Sequence, residues 1–201
     1  MLIGITGKLG AGKTFSSKIL IDYFNAQNFE YLNSYPRSEI CSLGDTMKNM
    51  AKIMFPIWTD KHTKGLLKEV VDPEYDISPR KVLQIIGKGM LEIRDSIWSD
   101  LLFSRLKATD TNWNDLNKLI VVDDIRYHHD MKAIKQRQGI MVGVIPTKTS
   151  NVDNEIRNHD TEKHIDDLIE ICDYTFINDF GKKHVDQMKG FAEKLYKGEI
   201  E

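Results

Sequence analysis

Leu2-Ile3-Gly4-Ile5-Thr6-Gly7-Lys8-Leu9-Gly10-Ala11-Gly12-Lys13-Thr14 is the stretch on which the fold turns. A short apolar run leads into residues 7 to 14, which fill the template G-x-x-x-x-G-K-[ST] at every fixed position. The helix-like stretch Phe15 to Phe24 follows. Strand, glycine loop and helix in that order are the context this motif requires. Gly7, Gly10 and Gly12 let the backbone wrap a polyphosphate with its N–H groups inward, and the helix adds the positive end of its dipole. Lys13 has the reach for β- and γ-phosphate oxygens, and the Thr14 hydroxyl suits Mg²⁺. Ala11 and Phe15 complete the expected nucleotide-contact set. An incidental glycine turn is the competing explanation, and it accounts for neither the preceding strand nor the following helix. The motif implies binding of a nucleoside triphosphate.

Working outward, short β-rich runs recur between helical patterns. Strands are expected at Leu2–Thr6, Glu39–Leu43, Lys118–Val122, Ile140–Ile145 and Tyr174–Ile177. Helices are expected near 13–27, 45–54, 61–71, 79–91, 95–108, 127–137 and 182–197. Ser78 and Pro79 give the 79–91 helix an N-cap and a first-turn proline. The alternation predicts a single α/β domain over 1–201, a doubly wound five-stranded parallel sheet flanked by helices. Ligands on such a sheet gather at the strands' carboxyl ends. Thr109 to Asn117 reads as a polar surface connection. Pro146 to His164 is long and polar, and reads as a lid about 146–164 or else as a surface excursion.

Composition agrees with an ordinary globular chain of 201 residues, 41% hydrophobic and 29% charged, with formal net charge -2. That balance argues against a nucleic-acid partner held by bulk positive charge. No apolar run approaches the ~20 residues of a membrane helix. Cys41 and Cys172 match no metal spacing, and the first strand begins too early to leave room for a signal peptide. The expectation is a soluble, cytoplasmic protein, with the oligomeric state left open between monomer and homodimer.

Chemistry-bearing residues fall into two groups. Asp123-Asp124-Ile125-Arg126 closes the apolar strand, and a carboxylate delivered there is the usual Mg²⁺ partner of a phosphate loop. Asp124 is the expected ligand together with Thr14, although a strand-end aspartate could instead cap the next helix. Strand alternation sends Asp123 and Asp124 to opposite sides. The second group is Lys48, Arg80, Gln84 and Arg94, with Trp98 as a flat wall for a base. Arg can hold an acceptor phosphate bidentately. Each of these residues alone would read as a solvated helix charge or a core aromatic.

Read together, Gly7 to Thr14, Ser42-Leu43-Gly44-Asp45-Thr46-Met47-Lys48, Pro79-Arg80 through Gln84 to Gly87, Arg94 with Ile97-Trp98, Asp124-Ile125-Arg126, His159-Asp160-Thr161-Glu162 and Asn178-Asp179 resemble the deoxynucleoside monophosphate kinases of bacteriophages and related viruses. The resemblance spans nearly the whole chain and implies a P-loop kinase fold, with a helical acceptor-binding insert about 45–108 and a lid. It implies ATP and Mg²⁺ as cofactors and a 2′-deoxynucleoside 5′-monophosphate as acceptor, in DNA precursor synthesis, within the host cytoplasm for a viral protein. Lys13, Asp124 and Arg126 would be catalytic. Lys48, Arg80, Gln84, Gly87, Arg94, Trp98, Asp124 and Asp130 would line the acceptor, with Lys148 and Arg157 on the lid. The chain departs from the family where Thr14-Phe15 replaces an acidic residue and a hydroxyl residue. It departs again where Pro146-Thr147-Lys148 stands for an arginine and Asp130 for a glutamate. A kinase for a coenzyme A precursor is the alternative among enzymes, and an ATP-hydrolysing switch the alternative outside them.

Overall fold

The computed structural model describes residues 1–27, 38–108, 118–147 and 164–200. The chain forms two compact units, Met1–Ser42 with Asp110–Glu201, and Leu43–Thr109.

In the first unit five strands run parallel in the order β2-β3-β1-β4-β5. They are β1 (Leu2–Thr6), β2 (Glu39–Cys41), β3 (Ile120–Ile125), β4 (Ile140–Pro146) and β5 (Tyr174–Asn178). β1 is buried along its whole length because it lies in the middle of the sheet, which explains its unbroken apolar character. Helix α1 (Lys13–Gln27) packs Leu20, Ile21 and Phe24 with Met188, Phe191 and Leu195 of the last helix, over Ile3, Ile5, Val142 and Val144.

The β1–β3 register is broken at one place. Gly4 pairs with Val122 but Thr6 with Ile125, so β3 carries one residue more than β1 across Asp123-Asp124. This is a bulge, which kinks a strand and re-aims its side chains. The Thr6 hydroxyl donates to the Ile125 carbonyl at 3.0 Å on the far side of it.

The second unit holds α2 (Gly44–Met54), α3 (Asp60–Thr63), a 3₁₀ turn (Leu66–Glu69), α4 (Pro79–Ile93) and α5 (Ile97–Ala108). It has a small apolar cluster of its own, with Ala51, Trp58, Val82 and Leu83 buried beneath Met47, Phe55 and Tyr75. Trp58 stacks on Phe55 with centroids 4.1 Å apart, and its indole N–H donates to Asp72 at 2.7 Å. The Ser78 hydroxyl accepts from the Lys81 N–H at the start of α4, with Pro79 in the first turn.

Two expectations need correction here. The helix expected over 61–71 is broken, because Gly65 separates α3 from the 3₁₀ turn. Beyond His164 the chain forms a short helix that the sequence reading passed over, α7 (Ile165–Glu170), after α6 (His128–Lys135) and before α8 (Lys182–Tyr196). The connection read at Thr109–Asn117 lies outside the described residues.

Candidate active site

The phosphate loop bridges β1 and α1 at the carboxyl edge of the sheet. Gly10 and Gly12 take φ of +78° and +89°, a region that side chains disfavour. The Ala11 N–H donates to the Lys8 carbonyl at 3.0 Å, which tightens the turn. The Lys13 ammonium bonds the carbonyls of Gly7 at 2.6 Å and Lys8 at 3.1 Å, so its charge lies across the loop's own mouth.

Thr14, one residue on, donates its hydroxyl to Asp123 at 2.8 Å. Asp124 accepts from the Ser42 hydroxyl at 2.5 Å instead. The two neighbouring carboxylates thus bond different hydroxyls. It is Asp123, rather than the expected Asp124, that stands with Thr14. A hydroxyl beside a carboxylate is an all-oxygen donor set, the kind a hard cation such as Mg²⁺ takes.

Asp130, which the resemblance sets on the acceptor, is only 3% exposed. Its carboxylate accepts the N–H groups of Arg126 at 3.4 Å and Tyr127 at 3.2 Å. Burial, reinforced by the charge of Asp124, pushes the Asp130 carboxyl up to about 7 against the pull of those two N–H groups. Asp130 therefore fixes the backbone that carries Arg126 out of β3. His129 lies beside it, with Nε2 3.5 Å from a carboxylate oxygen, and stacks on Tyr127.

On the helical unit, each expected acceptor cation has a carboxylate neighbour. Lys48 pairs with Asp45 at 3.1 Å and Arg94 with Asp100 at 3.1 Å, while Arg80 makes a close ion pair with Glu69. Gln84 is exposed on α4. Trp98 is 9% exposed, and its indole N–H reaches the Gly87 carbonyl at 3.4 Å. Gly87 faces Met47, whose sulfur would stand 3.2 Å from a Cβ at that position. The structure thus brings Trp98 to Gly87 and sets that pair beside α2. The lid residues Lys148 and Arg157 lie outside the described residues.

Sequence reasoning missed several residues around the loop. The Ser16 hydroxyl bonds the Gly12 carbonyl at 3.1 Å and the His184 ring at 2.8 Å, with both side chains fully buried. Burial lowers the His184 pKa. Ser42 appeared only as part of a longer motif, and nothing in the sequence signals a histidine 168 residues from its serine partner.

Parallel five-stranded sheet, phosphate loop and flanking helices together define the P-loop kinase fold. The solved structures it resembles include dephospho-CoA kinase from Campylobacter jejuni, with a TM-score of 0.51 and 15% identity over 99% of this chain and 98% of that one. Another is TT1252 from Thermus thermophilus, with a TM-score of 0.54 and 14% identity over 100% of this chain and 98% of that one. No family model matches the chain. In sequence it is 25% identical, over 154 residues, to a mimivirus protein (Acanthamoeba polyphaga mimivirus) named "Putative deoxynucleotide monophosphate kinase". That alignment covers 72% of this chain and 73% of the viral protein. It bears out the resemblance drawn from the motifs.

Proposed function

We propose that this protein is an ATP-dependent kinase that transfers the γ-phosphoryl group to a 2′-deoxynucleoside 5′-monophosphate, yielding ADP and the diphosphate. The observation that carries the reading is the Thr14–Asp123 pair, 2.8 Å apart at the end of the phosphate loop. These two oxygens would hold Mg²⁺ next to a cradle for polyphosphate. The acceptor class rests on the similarity to the viral protein and on the Lys48, Arg80, Gln84 and Arg94 set.

In this reaction the attacking acceptor oxygen is already anionic, so the site needs no histidine base. The task left to the protein is to hold two anions in line and offset the charge of the moving group. The loop amides bind the donor phosphates, and Lys13 follows the transferring group. A Mg²⁺ held by Thr14 and Asp123 would add positive charge beside the donor phosphates. Arg126, on backbone held by Asp130, is the described cation best suited to the charge that develops between donor and acceptor. Lys48, Arg80 and Arg94 take the acceptor phosphate by exchanging their carboxylate partners for it. Trp98 at Gly87 and the exposed Gln84 serve the base.

The test is ADP formation from Mg-ATP with a panel of deoxynucleoside and nucleoside monophosphates and dephospho-CoA. ADP produced only with a deoxynucleoside monophosphate supports the proposal. Turnover with dephospho-CoA alone would favour the coenzyme A precursor reading, and acceptor-independent hydrolysis a switch.

A further inference from the structure

Asn178, the last residue of β5, is fully buried, and its side chain faces backbone from two directions. Its amide nitrogen donates to the Ala11 carbonyl of the phosphate loop at 2.9 Å. Its amide oxygen accepts the Phe180 N–H at 2.8 Å in the turn before α8. Its own carbonyl accepts the N–H of Thr147, past the end of β4, at 2.9 Å. Three loops at one edge of the sheet thus meet on a single residue. The partners also fix which end of the amide is nitrogen, since one is a carbonyl and the other an N–H.

The contact with Ala11 orients the next peptide group. In a trans peptide the C=O and the following N–H point in opposite directions. Drawing the Ala11 carbonyl toward Asn178 therefore turns the Gly12 N–H to the opposite side of the loop. The same packing explains residue 12 itself. A Cβ there would stand closer than contact distance to the Asn178 amide nitrogen, and the φ of +89° independently disfavours one.

We infer that Asn178 is a positioning residue for phosphate binding, holding the Ala11–Gly12 peptide so that the Gly12 amide faces the nucleotide's anionic oxygens. The inference rests on the donor half of the function proposed above. Asn178 itself is fully buried. It acts through Ala11 and Gly12, and no feature of the G-x-x-x-x-G-K-[ST] motif reveals it.

The variant Asn178→Asp keeps the shape and the acceptor for Phe180 but sets a carboxylate oxygen against the Ala11 carbonyl. Asn178→Ala removes both bonds without adding charge, and serves if the aspartate variant does not fold. Mg-ATP binding is measured by titration calorimetry on folded protein, and the Gly12 amide resonance by NMR without nucleotide. The expected result is a displaced Gly12 resonance in both variants. Affinity should fall about tenfold with alanine, the effect of one lost hydrogen bond, and further with aspartate. A purely structural role would lower the melting temperature while leaving the affinity of the folded fraction unchanged, and that result overturns the inference. An unmoved Gly12 resonance overturns it as well. If the wild-type protein binds no Mg-ATP, the nucleotide reading fails, and with a displaced Gly12 resonance the clamp on the loop stands alone.

Discussion

Replacing Asp130 by Asn should remove a pH dependence of stability that the wild-type protein shows above pH ~4. The wild-type carboxyl rises from an ordinary 3.8 to about 7 in the folded protein, through burial first and the charge of Asp124 second. Below pH ~4 both folded and unfolded chains carry the proton, and the group is neutral in its effect. Between pH ~4 and ~7 the unfolded chain ionises while the folded one keeps its proton, so stability falls as pH rises. The two pKa values differ by about 3, which at ~1.36 kcal/mol each is on the order of 4 kcal/mol in all. Roughly 3 kcal/mol of this accrues between pH 5 and pH 8. Asn has the same outline, and its oxygen can accept from Arg126 and Tyr127 without titrating. Urea unfolding of both proteins at pH 5, 6, 7 and 8, without nucleotide or Mg²⁺, measures the effect. The wild-type curve should fall relative to the variant by roughly 3 kcal/mol over that range. Parallel curves would refute the reasoning, because they would mean that Asp130 stays ionised throughout.

Three other outcomes follow from the same geometry. Lys13→Ala should lose ~10²-fold or more in kcat by coupled ADP assay, the typical effect of removing a donor to developing charge. Asp123→Asn should raise the Mg²⁺ concentration needed for half-maximal rate by ~10-fold or more, whereas Asp124→Asn should leave it nearer the wild-type value. Magnesium titrations that rank the two variants in the opposite order would reassign the metal to Asp124. His184, whose pKa burial lowers, favours the neutral ring in the folded state. Stability should therefore fall as pH drops below the ordinary histidine value near ~6.5, and His184→Gln should abolish that component in thermal melts between pH 5 and pH 7.

How much of this was legible in the sequence depended on the range of the interactions. The five strands and the long helices could be read because each announces itself over a few residues, as with the apolar run Leu2–Thr6 and the Ser78-Pro79 start of α4. The phosphate loop was legible for the same reason. What could not be read is set by pairings across the sheet. Asp123 and Asp124 bond different hydroxyls. Which of them meets Thr14 depends on the partner strand's register, which shifts between Gly4 and Thr6. Asp130 enters the acceptor set through the family resemblance, and nothing local shows that its carboxylate will be buried against two N–H groups of its own segment. Asn178 and Ala11, 167 residues apart, carry no mutual signal at all.

The extra residue in β3 sets regularity against use. Deleting either aspartate would let the strand pair with β1 without interruption, and by the ordinary criteria of sheet formation the product would be the better-made sheet. It would also leave a single carboxylate to serve both Thr14 and Ser42. A selection for thermal stability alone would thus be drawn toward losing a carboxylate of the proposed Mg²⁺ site. Stabilised variants of this chain should be screened for turnover before any change in β3 is accepted.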